Sequence, residues 1–85
     1  MNDPFINILP SIDLHGCTKD HAIFAVNDFI NDNLKMGNEK IVIIHGVGEG
    51  VLRKAITTHF KNDKNVKSIY GYVNNLGITI IELNN

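Results

Sequence analysis

The stretch Lys40–Ile44, KIVII, constrains the fold more than any other part of this 85-residue chain. Four β-branched apolar residues in succession leave no polar face. A strand built from them belongs inside a sheet, covered on both faces or lying between two other strands. The remaining sequence has to supply its neighbours.

Two flanking segments do so. Ile8 to His15 carries Pro10, which suits a strand start or edge, and then alternates, with Ile12 and Leu14 on one face and Asp13 and His15 on the other. Gly16 breaks this strand and Thr18 caps the helix after it. Ala22, Ile23, Val26, Phe29, Ile30 and Leu34 then recur at helical spacing until Met36-Gly37. After KIVII and a glycine-rich loop, Leu52, Ala55, Ile56 and Phe60 form the apolar stripe of a second helix, with Arg53, Lys54, Thr57 and Lys61 opposite. Val66 to Val73 and Ile78 to Leu83 read as two strands joined by a tight connection at Asn74 to Gly77.

The order is therefore βαβαββ. Each strand-helix-strand unit favours a parallel pair with a right-handed crossover, and the closing hairpin adds an antiparallel one. The expected fold is α/β: a mixed four-stranded sheet with two helices packed on it as a two-layer sandwich. Residues 1–85 form one domain with a core over about residues 8–83. A chain this short buries only about 60–65% of its unfolded surface, so two layers are the most it builds.

Composition narrows the setting. A lone cysteine, Cys17, excludes an intramolecular disulfide and fits a reducing compartment, read here as the cytoplasm. The N-terminus shows no basic patch followed by an apolar core, and no apolar run approaches the roughly 18–20 residues of a membrane span. No membrane partner is expected. The formal net charge of −1 excludes the broad basic field of a strong nucleic-acid binder, so a polyanion has to be held locally.

The local site is marked by an internal echo. Leu14-His15-Gly16 and Ile44-His45-Gly46 each end an apolar strand with histidine and glycine just before a helix. In open α/β sheets ligands gather at such carboxyl ends, where helix N-termini present free N–H groups. The second copy continues as Gly46-Val47-Gly48-Glu49-Gly50-Val51-Leu52-Arg53. A dinucleotide fingerprint needs one more residue between its last glycines, and a P-loop needs a lysine and a hydroxyl residue where Val51 and Leu52 stand. What remains is a strand-to-helix turn whose amides at Gly46, Gly48 and Gly50 cup one phosphate, with Arg53 as its cation. Glycines required only for positive φ are the bland alternative, and the charge of Glu49 opposes a phosphate.

Asp13 and His15 are expected on one strand face, about 6.5–7 Å apart, with His45 joining them from the next strand. A carboxylate, two imidazoles and a phosphate cup are the parts of a phosphodiester-cleaving site: a base, an acid and donors for developing charge. Solvated strand ends and a hydrogen-bonded Asp-His brace are the bland counterparts. His21 and His59 fall on predicted helices and are read as surface or packing residues. The histidine and carboxylate spacing matches no strong zinc pattern, so no structural metal is expected, while Mg²⁺ carrying a reactive water stays open.

Together, Ile12-Asp13-Leu14-His15-Gly16, the stretch His45 to Arg53, and Asn74-Asn75-Leu76-Gly77-Ile78-Thr79 resemble the three ordered motifs of the Smr (small MutS-related) domain family. The resemblance covers essentially the whole chain. It implies a fold similar to the C-terminal domain of translation initiation factor three. It also implies nucleic-acid binding, with nicking or endonuclease activity on DNA or RNA, in DNA repair and recombination or at stalled ribosomes. Such domains often close larger proteins, including those of the MutS2 branch, so this chain is expected to be part of a larger polypeptide. By position, Asp13 and His15 match the family's candidate catalytic pair, His45, Gly46, Gly48 and Gly50 its loop, and Arg53 the following base. Three positions depart from the pattern: Val47 stands where relatives are often basic, Asn74 and Asn75 replace glycines, and His21 replaces a common glutamate.

The leading expectation is a nuclease module on DNA or RNA. A non-catalytic module that positions a larger enzyme on nucleic acid or a ribosome is the second, and a small-phosphate sensor or protein-interaction domain the third.

Overall fold

The structure, a computed structural model, describes residues 8–85. Residues 1–7, part of the N-terminal stretch in which no leader is expected, lie outside them. The order is β1 (Ser11–Asp13), α1 (Lys19–Lys35), β2 (Lys40–Ile44), α2 (Val51–Phe60), β3 (Val66–Tyr72) and β4 (Asn75–Leu83), which is the expected βαβαββ. The sheet runs β1-β2-β4-β3, with β1 and β2 parallel and the other two pairings antiparallel. KIVII therefore lies mid-sheet, between β1 and β4.

Both helices pack on one face. Ala22, Val26 and Ile30 of α1 and Ile56 and Phe60 of α2 meet Ile41, Ile43, Ile81 and Leu83 of the central strands. Burying each large aliphatic or aromatic side chain here contributes about 1.5–3 kcal/mol. On the opposite face the register partners Val42 and Ile80 are also buried. Beside them Ser68 donates to Glu82, and Lys40 lies 3.6 Å from the same carboxylate. The serine hydroxyl, with Lys40 and Lys67 nearby, holds the Glu82 carboxyl below its usual range.

Two expected boundaries move. β1 spans three residues rather than Ile8 to His15, because Pro10 has no N–H to give and the chain turns immediately after Asp13. The ladder still continues through Val42 N–H to Pro10 O and Leu14 N–H to Ile44 O, both 2.8 Å. β4 starts at Asn75 rather than Ile78, so the hairpin turns on Val73 and Asn74 alone. No non-glycine residue has positive φ among the described residues, so neither asparagine uses the left-handed backbone it tolerates. A register shift at Gly71/Tyr72 accompanies this turn and takes up the twist that a left-handed turn would have matched.

The α1 cap is as expected, with Thr18 Oγ1 accepting the His21 N–H at 3.2 Å. Its other end depends on a residue the periodicity did not single out. Asn33 is fully buried, donates through Nδ2 to Phe29 O and accepts from Asn38 Nδ2, each at 2.8 Å. This pair ties the helix end to the chain entering β2. Asn33→Ala is expected to lower stability by about 1–3 kcal/mol, because it strands the Asn38 amide; urea unfolding measures it.

Candidate functional site

The parallel pairing of β1 and β2 sets Asp13 opposite Ile44, so the two His-Gly turns leave the sheet side by side. There the first turn departs from the expected alternation. Asp13 Oδ1 accepts the backbone N–H of His15 at 2.9 Å, and Cys17 N–H closes on Leu14 O at 2.9 Å. His15 thus lies in a turn, not on the strand. Both Asp13 and His15 are exposed.

His45 is placed differently. Its ring meets Thr79, whose register partner Ile43 faces the helices, whereas Asp13 shares the face of Ile44. The side chains of Asp13 and His45 therefore leave the sheet on opposite faces, and the expected joining of His45 to the Asp13-His15 pair is not found. His45 is 9% exposed. Its Nδ1 lies 2.8 Å from Gly46 O, an acceptor only, which requires the proton on Nδ1. In the neutral ring Nε2 then accepts from the Thr79 hydroxyl, also at 2.8 Å. Both ring nitrogens are engaged within the fold.

The glycine loop is held from below by β4. The carbonyl of Gly77 accepts the N–H groups of His45 at 2.9 Å and Gly46 at 3.1 Å. The amide of Gly46, expected in the phosphate cup, is thereby committed to the sheet. Gly77 itself, read in the sequence as part of a turn, sits in the strand where a side chain would be crowded. A Cβ there would stand 3.3 Å from Gly46 Cα, and the Asn75 side chain fixes its N–H at 2.9 Å.

Beyond Gly46 the loop opens. Gly46, Gly48 and Gly50 all have positive φ, at 79°, 35° and 77°, with ordinary backbone at Val47 and Glu49 between them. Positive φ at the three glycines alternating with negative φ between them is the sign alternation that an anion nest uses to turn successive amides toward one side. Among the described residues, no protein acceptor takes the amides of Val47 to Gly50. Gly50 then caps α2 without a side-chain bond, and no acidic residue stands in the first turn. The helix N-terminus thus adds its own free N–H groups and positive dipole end. Residues 45–52 line a cavity of about 140 Å³ here.

Arg53 reaches back over this loop: its Nη2 lies 3.5 Å from where a Gly50 Cβ would stand. Glu49 is exposed and, among the described residues, makes no ion pair. Val47 is also exposed, an apolar residue at the rim. A larger open groove of about 550 Å³ between the helices is lined by Lys19, Asp20, Lys54 and His59, of which the helical periodicity marked Lys54 as surface. Among the described residues no three His, Cys, Asp or Glu side chains cluster as metal donors, and no helix is long and apolar enough to cross a membrane.

Residues 12–84 match the family model for the Smr domain. An endonuclease MutS2 of Caldanaerobacter subterraneus subsp. tengcongensis is 40% identical over 87 residues, an alignment covering 98% of this chain and 11% of that protein. The endonuclease MutS2 of Caldicellulosiruptor bescii is 41% identical over 81 residues, covering 91% of this chain and 10% of its own. This chain therefore spans only a small part of the length of the curated relatives it matches. The crystal structure of the Smr domain of Thermus thermophilus MutS2 superposes with a TM-score of 0.87 at 28% identity, covering 91% of this chain and all of that one. YdaL of Escherichia coli, a stand-alone small MutS-related protein, shares the fold with a TM-score of 0.81 at 19% identity over 88% of this chain and 64% of its own.

The Thr79–His45–Gly46 relay should be measurable in isolation. Thr79→Val removes the donor facing the buried Nε2 and is expected to cost about 1–3 kcal/mol in urea unfolding, while Thr79→Ser retains most of the stability.

Proposed function

The chain belongs to the Smr domain family, and from that premise we propose that it is a nucleic-acid-binding nuclease module acting on phosphodiester bonds at the ends of β1 and β2. One observation carries this reading: the alternating-φ glycine loop runs without a capping side chain into α2, with Arg53 folded over it and Asp13 and His15 exposed on the neighbouring turn. The open amides hold a backbone phosphate, and the helix dipole and Arg53 offset its charge.

In this reading the two histidines divide the work. Asp13 is oriented by the N–H of His15 and takes the proton of the attacking oxygen, while the exposed His15 ring gives one to the leaving oxygen. On RNA the attacker is the 2′-hydroxyl. Its oxygen bonds phosphorus as the O5′ bond breaks, leaving a cyclic 2′,3′-phosphate. On DNA, which lacks that hydroxyl, water attacks instead. His45 touches no substrate here. It is a positioning residue that fixes Gly46 and the entrance to the loop.

As an alternative to taking the proton itself, the exposed Asp13 carboxylate together with a substrate phosphate would hold Mg²⁺, an ion bound through one or two carboxylates plus phosphate oxygens. When bound, it would supply a Lewis acid at phosphorus.

A second reading is a binding module without turnover, serving a larger enzyme on nucleic acid or a ribosome. The net charge of −1 and the apolar Val47 at the loop rim favour it, since both imply weak binding that becomes useful through tethering.

Purified chain incubated with supercoiled plasmid and with structured RNA, in Mg²⁺ or in chelator, separates these outcomes. Asp13→Asn and His15→Ala are each expected to slow cleavage about 10²–10⁴-fold with little change in stability. Wild-type cleavage no faster than that of the variants rejects the nuclease reading, and binding that survives both changes then selects the second.

A further inference from the structure

Beside Arg53 and the β3-β4 hairpin lies a pocket of about 240 Å³, formed by Arg53, Gly71, Tyr72, Val73, Leu76 and Ile78. It is smaller than the roughly 300–1,000 Å³ of sites that enclose whole cofactors or drug-sized ligands, which leaves room for one ring system. Its walls are apolar and aromatic, with one guanidinium and no carboxylate. Val73 and Leu76 stand 92% and 61% exposed at the hairpin tip. Gly71 leaves the pocket open: its φ is not positive and a Cβ there would meet nothing within 4 Å, so neither strain nor crowding calls for a glycine. Gly71 sits at the register shift beside the hairpin turn, and its lack of a side chain also leaves this wall of the pocket open to a flat ligand.

The position of this pocket matters as much as its lining. Arg53 belongs to both sites, because it lines the pocket and its guanidinium packs over Gly50. Leu76 and Ile78 flank Gly77, whose carbonyl holds the loop. A phosphate in the loop and a flat ring in the pocket would be neighbours across one arginine.

We propose that this pocket is a base-binding subsite, which takes one unpaired nucleobase of the strand whose phosphate occupies the glycine loop. The proposal rests on the phosphate reading of that loop. Tyr72 and Arg53 present the π surface and the cation on which bases stack without regard to sequence, and the hairpin side chains exclude water from the ring edges. A base inside a duplex is stacked between its neighbours and cannot enter. The preferred ligand is therefore a single-stranded or locally unpaired segment, of DNA or RNA.

Anisotropy titrations of the 85-residue chain at low salt test this with four labelled ligands of equal length: oligo-dT, oligo-U, an abasic deoxy strand and a duplex. The dT or U strand is expected to bind about 5- to 100-fold tighter than the abasic strand and the duplex. Oligo-U against oligo-dT shows which sugar is preferred. Gly71→Val adds a side chain at the pocket wall, where a Cβ meets nothing within 4 Å, and should remove that preference while leaving abasic binding unchanged and thermal stability no lower. Tyr72→Phe should keep the preference. Equal binding of base-bearing and abasic strands, or a preference that persists in Gly71→Val, overturns the subsite and leaves the loop reading standing. Failure of the abasic strand to bind at all overturns the loop reading, and the subsite with it.

Discussion

The carbonyl oxygen of Gly77 accepts the amides of both His45 and Gly46, and the site depends on that one acceptor. It fastens the end of β2 to the start of β4 at the point where the chain leaves the sheet for the loop. Without this anchor, three glycines with positive φ would form a loop of many conformations, and ordering them would cost the entropy that glycine alone brings. The close approach of Gly77 to Gly46 and the His45–Thr79 contact act on the same joint. A buried polar relay under an open loop leaves the outer amides oriented with no protein partner, as a preorganised anion site requires.

The echo of two His-Gly turns conceals a division between them. In the first turn the histidine is exposed and its backbone orients an acidic side chain. In the second it is buried and its ring secures the loop. The cause is the period of the strand: Asp13 lies opposite Ile44, so the residue after Ile44 points to the other face. Arg53 then links the loop to the hairpin, which makes the ends of β2, α2, β3 and β4 one continuous surface.

Much of the fold was legible because local signals were strong. KIVII read as an interior strand and lies mid-sheet, Thr18 read as a cap and accepts the His21 amide, and Met36-Gly37 read as a helix end. Element order, the parallel β1-β2 pair, the closing β3-β4 hairpin and the juxtaposition of the two turns followed, whereas the parallel pair expected of β2 and β3 did not, because β4 inserts between them and pairs antiparallel with β2. Less legible were β1, shortened by Pro10 and by the turn in which the Asp13 carboxylate accepts the His15 N–H, and the hairpin, which turns on Val73 and Asn74 without the left-handed backbone that asparagine tolerates. Asn33 was hidden because a single polar residue on an apolar helix face carries no periodic signal, and its partner Asn38 lies beyond the helix.

By itself the sequence determined the βαβαββ order, the two helix faces and the closeness of the glycine loop to the Asp13-His15 turn, since periodicity, caps and turn residues act over a few positions. Only the tertiary structure decided which amides stay open, which histidine is buried and what Gly77 is for. Those outcomes depend on β4, which reaches the loop from far downstream, with Thr79 meeting His45 across a separation of 34 residues. Contacts across such a distance leave no local pattern to read, because they are set by strand register and face rather than by neighbouring residue types.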